Sequence, residues 1–281
     1  MSSAWRSLYL TMSLALVVTG CDSSSGVSDS GDDEAEEGGD DNNDDGNDDG
    51  NDDGNDDGEP EEDLGPEEEI KCDSLIDDLE HGMTPLLQTT DGRAGAWYTY
   101  NDETEGAVQT PAACGEPFSA ASFGARGTNG SARSAGSGFA EFAGFGFDLN
   151  NMGTEPVNCM VDFSTRMAYD ASAYSGISFY AKSLKGGMNI DVKIPSLAET
   201  PIEEGGACDP NDGSGKCANS YQAYVGLTSK WKGYEVPFTN FTRPSWGRQF
   251  DLNLAELVGI QFQARANADF DVAVDHICFY K

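Results

Sequence analysis

The chain has 281 residues, with 50 acidic against 16 basic side chains and a formal net charge of −34. Much of that charge is local, because residues 22–70 contain 24 acids and neither Lys nor Arg. Residues 71–281 therefore hold 26 acids and 15 bases, a formal net charge of −11. Such an acidic domain is a poor match for nucleic acid, since phosphate contacts need Lys and Arg.

The first 21 residues predict an exported protein. Arg6 precedes a short apolar run, Leu8–Val18, which is the layout of a secretory signal peptide and falls short of the roughly 20 residues of a spanning helix. The residues from Leu16 to Cys21 resemble the lipobox of bacterial lipoproteins. That resemblance implies a signal peptide over residues 1–20 and a lipidated Cys21 that anchors the chain to a membrane of the bacterial cell envelope, on its periplasmic or surface side. The alternative is an ordinary signal peptide with an incidental cysteine.

Residues 21–70 predict a disordered acidic tether behind the lipidated cysteine. Asn-Asp-Asp-Gly repeats with a period of four from Asn47 to Gly58. Such a segment has almost no apolar surface to bury and cannot offset its ordering entropy. Calcium buffering is the alternative role, although the repeat lacks the ligand spacing and closing Glu of an EF-hand loop.

Six cysteines follow Cys21, and an even number in an exported chain predicts three disulfides in one domain over residues 71–281. The preferred pairs are Cys208–Cys217, which flank a turn-rich loop, and Cys72–Cys278, which lie at the two ends of the domain. Cys114 and Cys159 are then left to form the third pair. Other pairings stay open, since six cysteines allow fifteen. Zinc is disfavoured, because the chain has no Cys-x-x-Cys pair and only 2 His.

Several segments of this domain alternate between apolar and polar residues with a period of two. The clearest are 177–182, 190–194, 260–265 and 270–275, and further strands are expected at Leu75–Glu80, Ala132–Phe147, Tyr221–Leu227 and Trp231–Phe238. A short helical turn is expected within Asp251–Leu257. Alternating strands separated by turn residues predict an all-β fold, an antiparallel β-sandwich.

Four segments in chain order resemble the galactose-binding-like jelly rolls, and among them the family 11 carbohydrate-binding modules and the intermediate-associated protein 30 domains. They are Leu75–Glu80, Gly176–Lys182, Trp231–Phe238 and Phe270–Tyr280. The resemblance implies a jelly-roll sandwich and a polysaccharide or other glycan as ligand. The cysteine pattern and the loop Glu199–Asn219 depart from those modules.

The polar side chains of the four clearest strands are candidates for a glycan-binding face, on condition that the strands share a sheet. The candidates are Tyr180, Lys182, Asp191, Lys193, Gln261, Gln263 and Arg265. Aromatic rings stack on sugars, and amide, carboxylate and guanidinium groups bond their hydroxyls. Trp97 and Trp246 are candidate stacking platforms on loops. The alternatives are an ordinary solvated sheet face and tryptophans that plug the end of the sandwich.

A structural calcium ion is a further implication of the resemblance, because related jelly rolls often hold one between the first and last strands. The candidate ligands are Asp77, Asp78, Glu80 and Asp275, which supply the oxygen atoms that a hard cation prefers. The alternative is acidic residues at a strand edge in water.

No catalytic motif occurs in the sequence. It lacks Gly-x-Ser-x-Gly, His-Glu-x-x-His and the Glu-x-Asp-x-x-Glu pattern of jelly-roll glucanases. Gly136-Ser-Gly138 and Gly144-Phe-Gly146 lack the setting of a phosphate loop, and His276 is expected to be structural. The sequence therefore predicts a non-catalytic carbohydrate-binding domain. A surface scaffold or protein-interaction domain is the first alternative, and a polysaccharide hydrolase or lyase is the second.

Overall fold

Eleven β-strands are found in the residues that the computed structural model describes, which are 69–82, 86–88, 90–113, 118–153, 162–213 and 215–281. The strands are β1 (Ser74–Asp77), β2 (Trp97–Asn101), β3 (Val108–Thr110), β4 (Ala132–Ser137), β5 (Phe142–Asp148), β6 (Gly176–Ser183), β7 (Met188–Ile194), β8 (Tyr221–Leu227), β9 (Lys232–Pro237), β10 (Gly259–Arg265) and β11 (Phe270–Tyr280). Short 3₁₀ turns lie at Ala125–Gly127, Phe163–Thr165, Ile202–Glu204, Phe238–Asn240 and Leu254–Glu256. The last of these confirms the helical turn expected before β10.

The strands form two antiparallel sheets. In the first, called the β11 sheet, the order is β3-β4-β11-β6-β9, and β1 pairs with the second half of β11. In the second, called the β10 sheet, the order is β2-β5-β10-β7-β8. The predicted all-β antiparallel sandwich is confirmed.

The core lies between the two sheets and is built from the apolar half of each alternating strand. Phe179 from the β11 sheet meets Phe262 from the β10 sheet edge to face, with ring centroids 5.2 Å apart. Ile177, Val274 and Val192 are also fully buried. Burial of such side chains stabilises a fold by roughly 1.5–3 kcal/mol each, so the alternation fixes which face of every strand turns inward.

Two of the three predicted disulfides are confirmed. Cys72 pairs with Cys278, which joins the start of the domain to its last strand, and Cys208 pairs with Cys217 across a loop. Cys114 and Cys159 lie outside the described residues. Linking chain positions 206 residues apart restricts the unfolded chain strongly.

Several sequence predictions fall on the N-terminal part of the chain. The signal peptide, the lipidation of Cys21 and nearly all of the tether lie outside the described residues. All described residues belong to one unit, residues 58–281. Within it, no helix has the length and apolar character needed to cross a membrane.

Candidate functional site

The strands that carry the predicted ligand residues do not share a sheet. β6, with Tyr180 and Lys182, belongs to the β11 sheet, whereas β7 and β10 belong to the β10 sheet. The predicted face is therefore divided between the two outer surfaces of the sandwich. Alternation distinguishes inward from outward positions, but it does not reveal which strand pairs with which.

Tyr180 is covered by protein rather than open to a ligand. Its ring is 3% exposed and belongs to a small apolar cluster with Trp231, against which Ile70 and Phe123 pack. The Tyr180 hydroxyl accepts hydrogen bonds from the Ile70 amide at 3.3 Å and from Arg126 at 3.2 Å. Stacking of a sugar on this ring is excluded by its burial.

Lys182 lies beside the same cluster. Its Nζ stands 4.9 Å from the centre of the Trp231 ring and 5.2 Å from that of Phe123. These cation–π contacts direct the ammonium group onto the cluster. Both β6 candidates thus belong to the packing of the β11 sheet's outer surface.

Trp97 is a core residue and not a platform. It is 2% exposed, stacks on Phe118, meets Phe147 edge to face, and donates from Nε1 to Oδ2 of Asp77 at 2.7 Å. The first residue of β2 therefore points inward, and Tyr98 points outward. Trp246 is about half exposed in the loop after β9, where its carbonyl accepts from Asn219. A binding role for Trp246 stays a prediction.

The outer surface of the β10 sheet brings together five of the predicted residues, four of them in two rungs that cross all five strands. The first rung is Tyr98, Gly146, Gln261, Lys193 and Gln222, and the second is Tyr100, Gly144, Gln263, Asp191 and Tyr224. Arg265 occupies the next outward position on β10. These eleven residues are called the tyrosine face.

One glycine of β5, Gly144, makes room for the Tyr100 ring, and the other, Gly146, makes room for Gln261 of β10. A Cβ atom at Gly144 would stand 2.8 Å from the Tyr100 ring and hydroxyl, and one at Gly146 would stand 2.9 Å from Cα of Gln261. In the same strand Phe145 and Phe147 are buried in the core. The Phe-Gly alternation was the available sequence signal, and sequence analysis gave these glycines no role.

Hydrogen bonds tie the tyrosines to the central strand of the sheet. Gln261 donates from Nε2 to the Tyr98 hydroxyl at 3.0 Å, and the Tyr100 hydroxyl donates to Oε1 of Gln263 at 3.4 Å. Nζ of Lys193 donates to the same Oε1 at 3.2 Å. Burial raises the pKa of Tyr98 and of Tyr100, so both remain neutral hydroxyl groups.

Arg265 and Asp191 form a bidentate ion pair on this face. Nε and Nη2 of Arg265 stand 3.0 and 2.6 Å from the two carboxylate oxygens. The guanidinium carbon lies 4.3 Å from the centre of the Tyr224 ring, which is 56% exposed. An exposed ring stacked on a fixed guanidinium offers a ligand both an apolar surface and hydrogen-bond donors.

A buried ion pair supports the Tyr98 end of the face. Nη2 of Arg166 lies 2.8 Å from Oδ1 of Asp148, and both side chains are almost fully buried. The guanidinium lies 4.2 Å from the Phe163 ring centre, and Phe163 meets Tyr98 edge to face with centroids 5.5 Å apart. Burial raises the pKa of Asp148, and Arg166 opposes that shift. The sequence does not reveal these residues as part of a site, because they are distant in sequence and follow no motif.

The predicted calcium ligands already accept hydrogen bonds from the protein. The donors to Asp77 are the Leu79 amide, His81 and Trp97. Asp78 accepts hydrogen bonds from the Glu80 amide and from Gln88. Glu80 accepts hydrogen bonds from Asn129 and from the Gly130 amide. Asp275 accepts from the Ala125 amide, Thr128 and the His276 amide.

Among the described residues, the group of His, Cys, Asp and Glu side chains that converges closely enough for a metal is Cys72, His276 and Cys278. Since the two cysteines form a disulfide, that group offers one free ligand. The calcium site stays a prediction, and calorimetric titration of the chelator-stripped chain tests it. Absence of heat up to millimolar calcium would remove it.

No family model matches the sequence, and no curated protein matches it. The chain is similar in structure to a family 11 carbohydrate-binding module from Clostridium thermocellum, in complex with a β-1,3-1,4-mixed-linked tetrasaccharide, with 18% identity, a TM-score of 0.47, and coverage of 75% of this chain and 97% of that one.

Two further solved structures from Clostridium thermocellum are similar to the chain. The family 11 module of the cellulosomal cellulase Lic26A-Cel5E shares 19% identity, with a TM-score of 0.45 and coverage of 75% of this chain and 96% of that one. The family 30 module of the cellulosomal cellulase Cel9D-Cel44B shares 12% identity, with a TM-score of 0.36 and coverage of 74% and 93%. At these identities the similarity is one of fold.

Proposed function

We propose that this chain is a membrane-anchored glycan-binding protein whose ligand lies on the tyrosine face. The observation that carries the proposal is the pair of rungs, in which the Tyr100 ring lies over Gly144 beside the amides of Gln261 and Gln263 and the ion pair of Arg265 with Asp191. An ordinary solvated sheet face has no need of a glycine that makes room for an aromatic ring.

The chemistry of the face matches that of a sugar. The ring of Tyr224 presents an exposed apolar surface to the C–H face of a pyranose, and Tyr100 offers a half-buried one. The amide of Gln261 and the guanidinium of Arg265 supply donors and acceptors for adjacent hydroxyls. These groups are held on strands, which keeps their spacing fixed.

The residues of the tyrosine face support glycan binding without hydrolysis. Glycoside hydrolysis uses two carboxyl groups roughly 5–10 Å apart. Of the ten residues in the two rungs, Asp191 is the one carboxylate, and both of its oxygens accept from Arg265. A lipidated Cys21 and the acidic tether would then hold this binding domain at a membrane of the cell envelope.

A glycan-array screen of the full chain, with and without calcium, tests the proposal. Arg265→Ala is the informative variant, and Arg133→Ala is its matched control. Arg133 forms a bidentate pair with Asp271 at 2.8 and 2.7 Å and lies over the Phe123 ring, on the opposite outer surface. Binding to one glycan class that Arg265→Ala abolishes and Arg133→Ala retains would support the proposal. A folded chain that binds nothing on the array would refute it.

A further inference from the structure

Lys193 holds a central place on the tyrosine face. It lies between Gln261 and Gln222 in the first rung, and its side chain is half-buried. Its Nζ donates to Oε1 of Gln263 at 3.2 Å. A lysine ammonium carries three N–H donors, so this bond to a neutral amide leaves two donors for other partners.

The charges of the face are unevenly paired. Asp191 is engaged by both nitrogens of the Arg265 fork. Among the described residues, no carboxylate oxygen lies within 4 Å of Nζ of Lys193. Two cations therefore share one carboxylate on this surface, and Lys193 is the cation without a direct counterion.

The surroundings of Lys193 make an added negative charge favourable. Burial lowers its pKa, and the carboxylates of Asp191 and Glu199 oppose that shift from a distance. Glu199 is itself buried and accepts from the Ser196 amide at 2.8 Å. An ammonium group that has lost part of its hydration gains more from a contacting anion than one in bulk water does.

Gln263 adds a second donor next to the ammonium. Lysine can only donate, so the amide oxygen of Gln263 must face it. That oxygen also accepts from Tyr100, while the amide NH₂ has no acceptor among the described residues. A carboxylate has two oxygens and can accept from both groups, whereas a single sugar hydroxyl satisfies fewer donors.

We infer that the tyrosine face selects glycans that carry carboxylate groups, as uronic acids do, and that Lys193 is the residue that sets this preference. The inference rests on the proposed function and names its ligand class. The domain's net charge of −11 acts against a polyanion at long range, but beyond about 8 Å it is screened at physiological salt. The contact at Lys193 is not screened in this way.

Two pairs of tetrasaccharides test the inference by isothermal titration calorimetry on the full chain. One pair is the β-1,4-linked tetramer of glucose and that of glucuronate, and the other is the corresponding pair of mannose and mannuronate. Within each pair the members differ only in the carboxylate. A hydrogen bond to a charged group contributes about 1.5 kcal/mol or more. If one of the two pairs binds, we therefore expect its acidic tetramer to bind at least about tenfold more tightly than its neutral tetramer.

Lys193→Gln is expected to remove this preference, so that the affinities of the two members of that pair come within about twofold of each other. Lys232→Gln, on β9 of the other sheet, is the matched control and should behave as the parent chain. Equal or tighter binding of the neutral member by the parent chain would overturn the inference and leave the proposed function standing. So would a preference that survives Lys193→Gln. A folded chain silent towards all four tetramers and the array would overturn the proposed function as well.

Discussion

Arg265 and Asp191 lie on neighbouring strands of the β10 sheet and meet through two parallel hydrogen bonds, 3.0 and 2.6 Å long. The pair fixes the guanidinium plane beneath the exposed ring of Tyr224. It thereby joins the charged and the aromatic parts of the tyrosine face into one unit.

Arg265→Ala should weaken binding at a moderate cost in stability. The Arg265 side chain is 47% exposed and that of Asp191 only 9%, so loss of the guanidinium should lower the unfolding free energy by about 1–3 kcal/mol. Glycan affinity should fall at least about tenfold, because a charge-assisted donor and the support of Tyr224 are both lost. Calorimetry and urea denaturation of the same sample measure the two effects. A large loss of stability with unchanged affinity would contradict the role given to this pair.

Gly144→Ala should disturb the platform that the tyrosines form. The added Cβ would stand 2.8 Å from the Tyr100 ring and 2.7 Å from the carbonyl oxygen of Phe262. We expect a loss of roughly 1–3 kcal/mol in unfolding free energy and weaker glycan binding. Gly226→Ala is the control in the same sheet, since its Cβ would meet only the end of the Asn189 side chain at 3.3 Å. Equal effects from both substitutions would argue against the platform.

Arg166→Met should destabilise the domain strongly. It leaves the Asp148 carboxylate buried without its cation, which costs about 3–5 kcal/mol. Arg133→Met breaks a pair in which the arginine side chain is 40% exposed, and it should cost less, about 1–3 kcal/mol. Urea denaturation compares the two variants. Similar small losses would show that the buried pair does not hold the Tyr98 end of the face.

Asp275 should make stability depend on pH. Burial raises the pKa of its carboxyl from 3.8 to about 7, against the opposing bonds from Thr128, Ala125 and the His276 amide. Because the folded-state pKa lies above the unfolded one, this group's contribution is fully present below about pH 4 and is lost as the pH rises through about 7.

Within that window, this single carboxyl lowers the unfolding free energy by up to about 1.4 kcal/mol for each unit of rising pH. Asp102 contributes in the opposite direction at lower pH, since hydrogen bonds from Thr104 and the Glu141 amide bring its pKa to about 2 against the effect of burial. Unfolding free energies measured against pH for the parent chain and for Asp275→Asn differ by the contribution of this carboxyl. An unchanged slope from pH 4 to 7 in the variant would contradict the assignment.

The sequence alone determined which side of each of the four clearly alternating strands faces the core. Phe179 and Phe262 sit in alternating segments, and both are buried where period two places them. The same local pattern identified Asp191, Lys193 and Arg265 as outward residues. The pattern did not identify Trp97, which the sequence predicts on a loop and which the structure buries at the start of β2.

The tertiary structure decided which outward residues meet. Tyr180 and Arg265 are both outward on their strands, yet the pairing of β6 with β11 and of β7 with β10 sets them on opposite surfaces. The role of Gly144 depends on Tyr100, which reaches it from another strand. Alternation is a property of neighbouring residues in one strand, whereas a binding face is made by strands far apart in sequence. Their pairing is set by the packing of the whole sandwich.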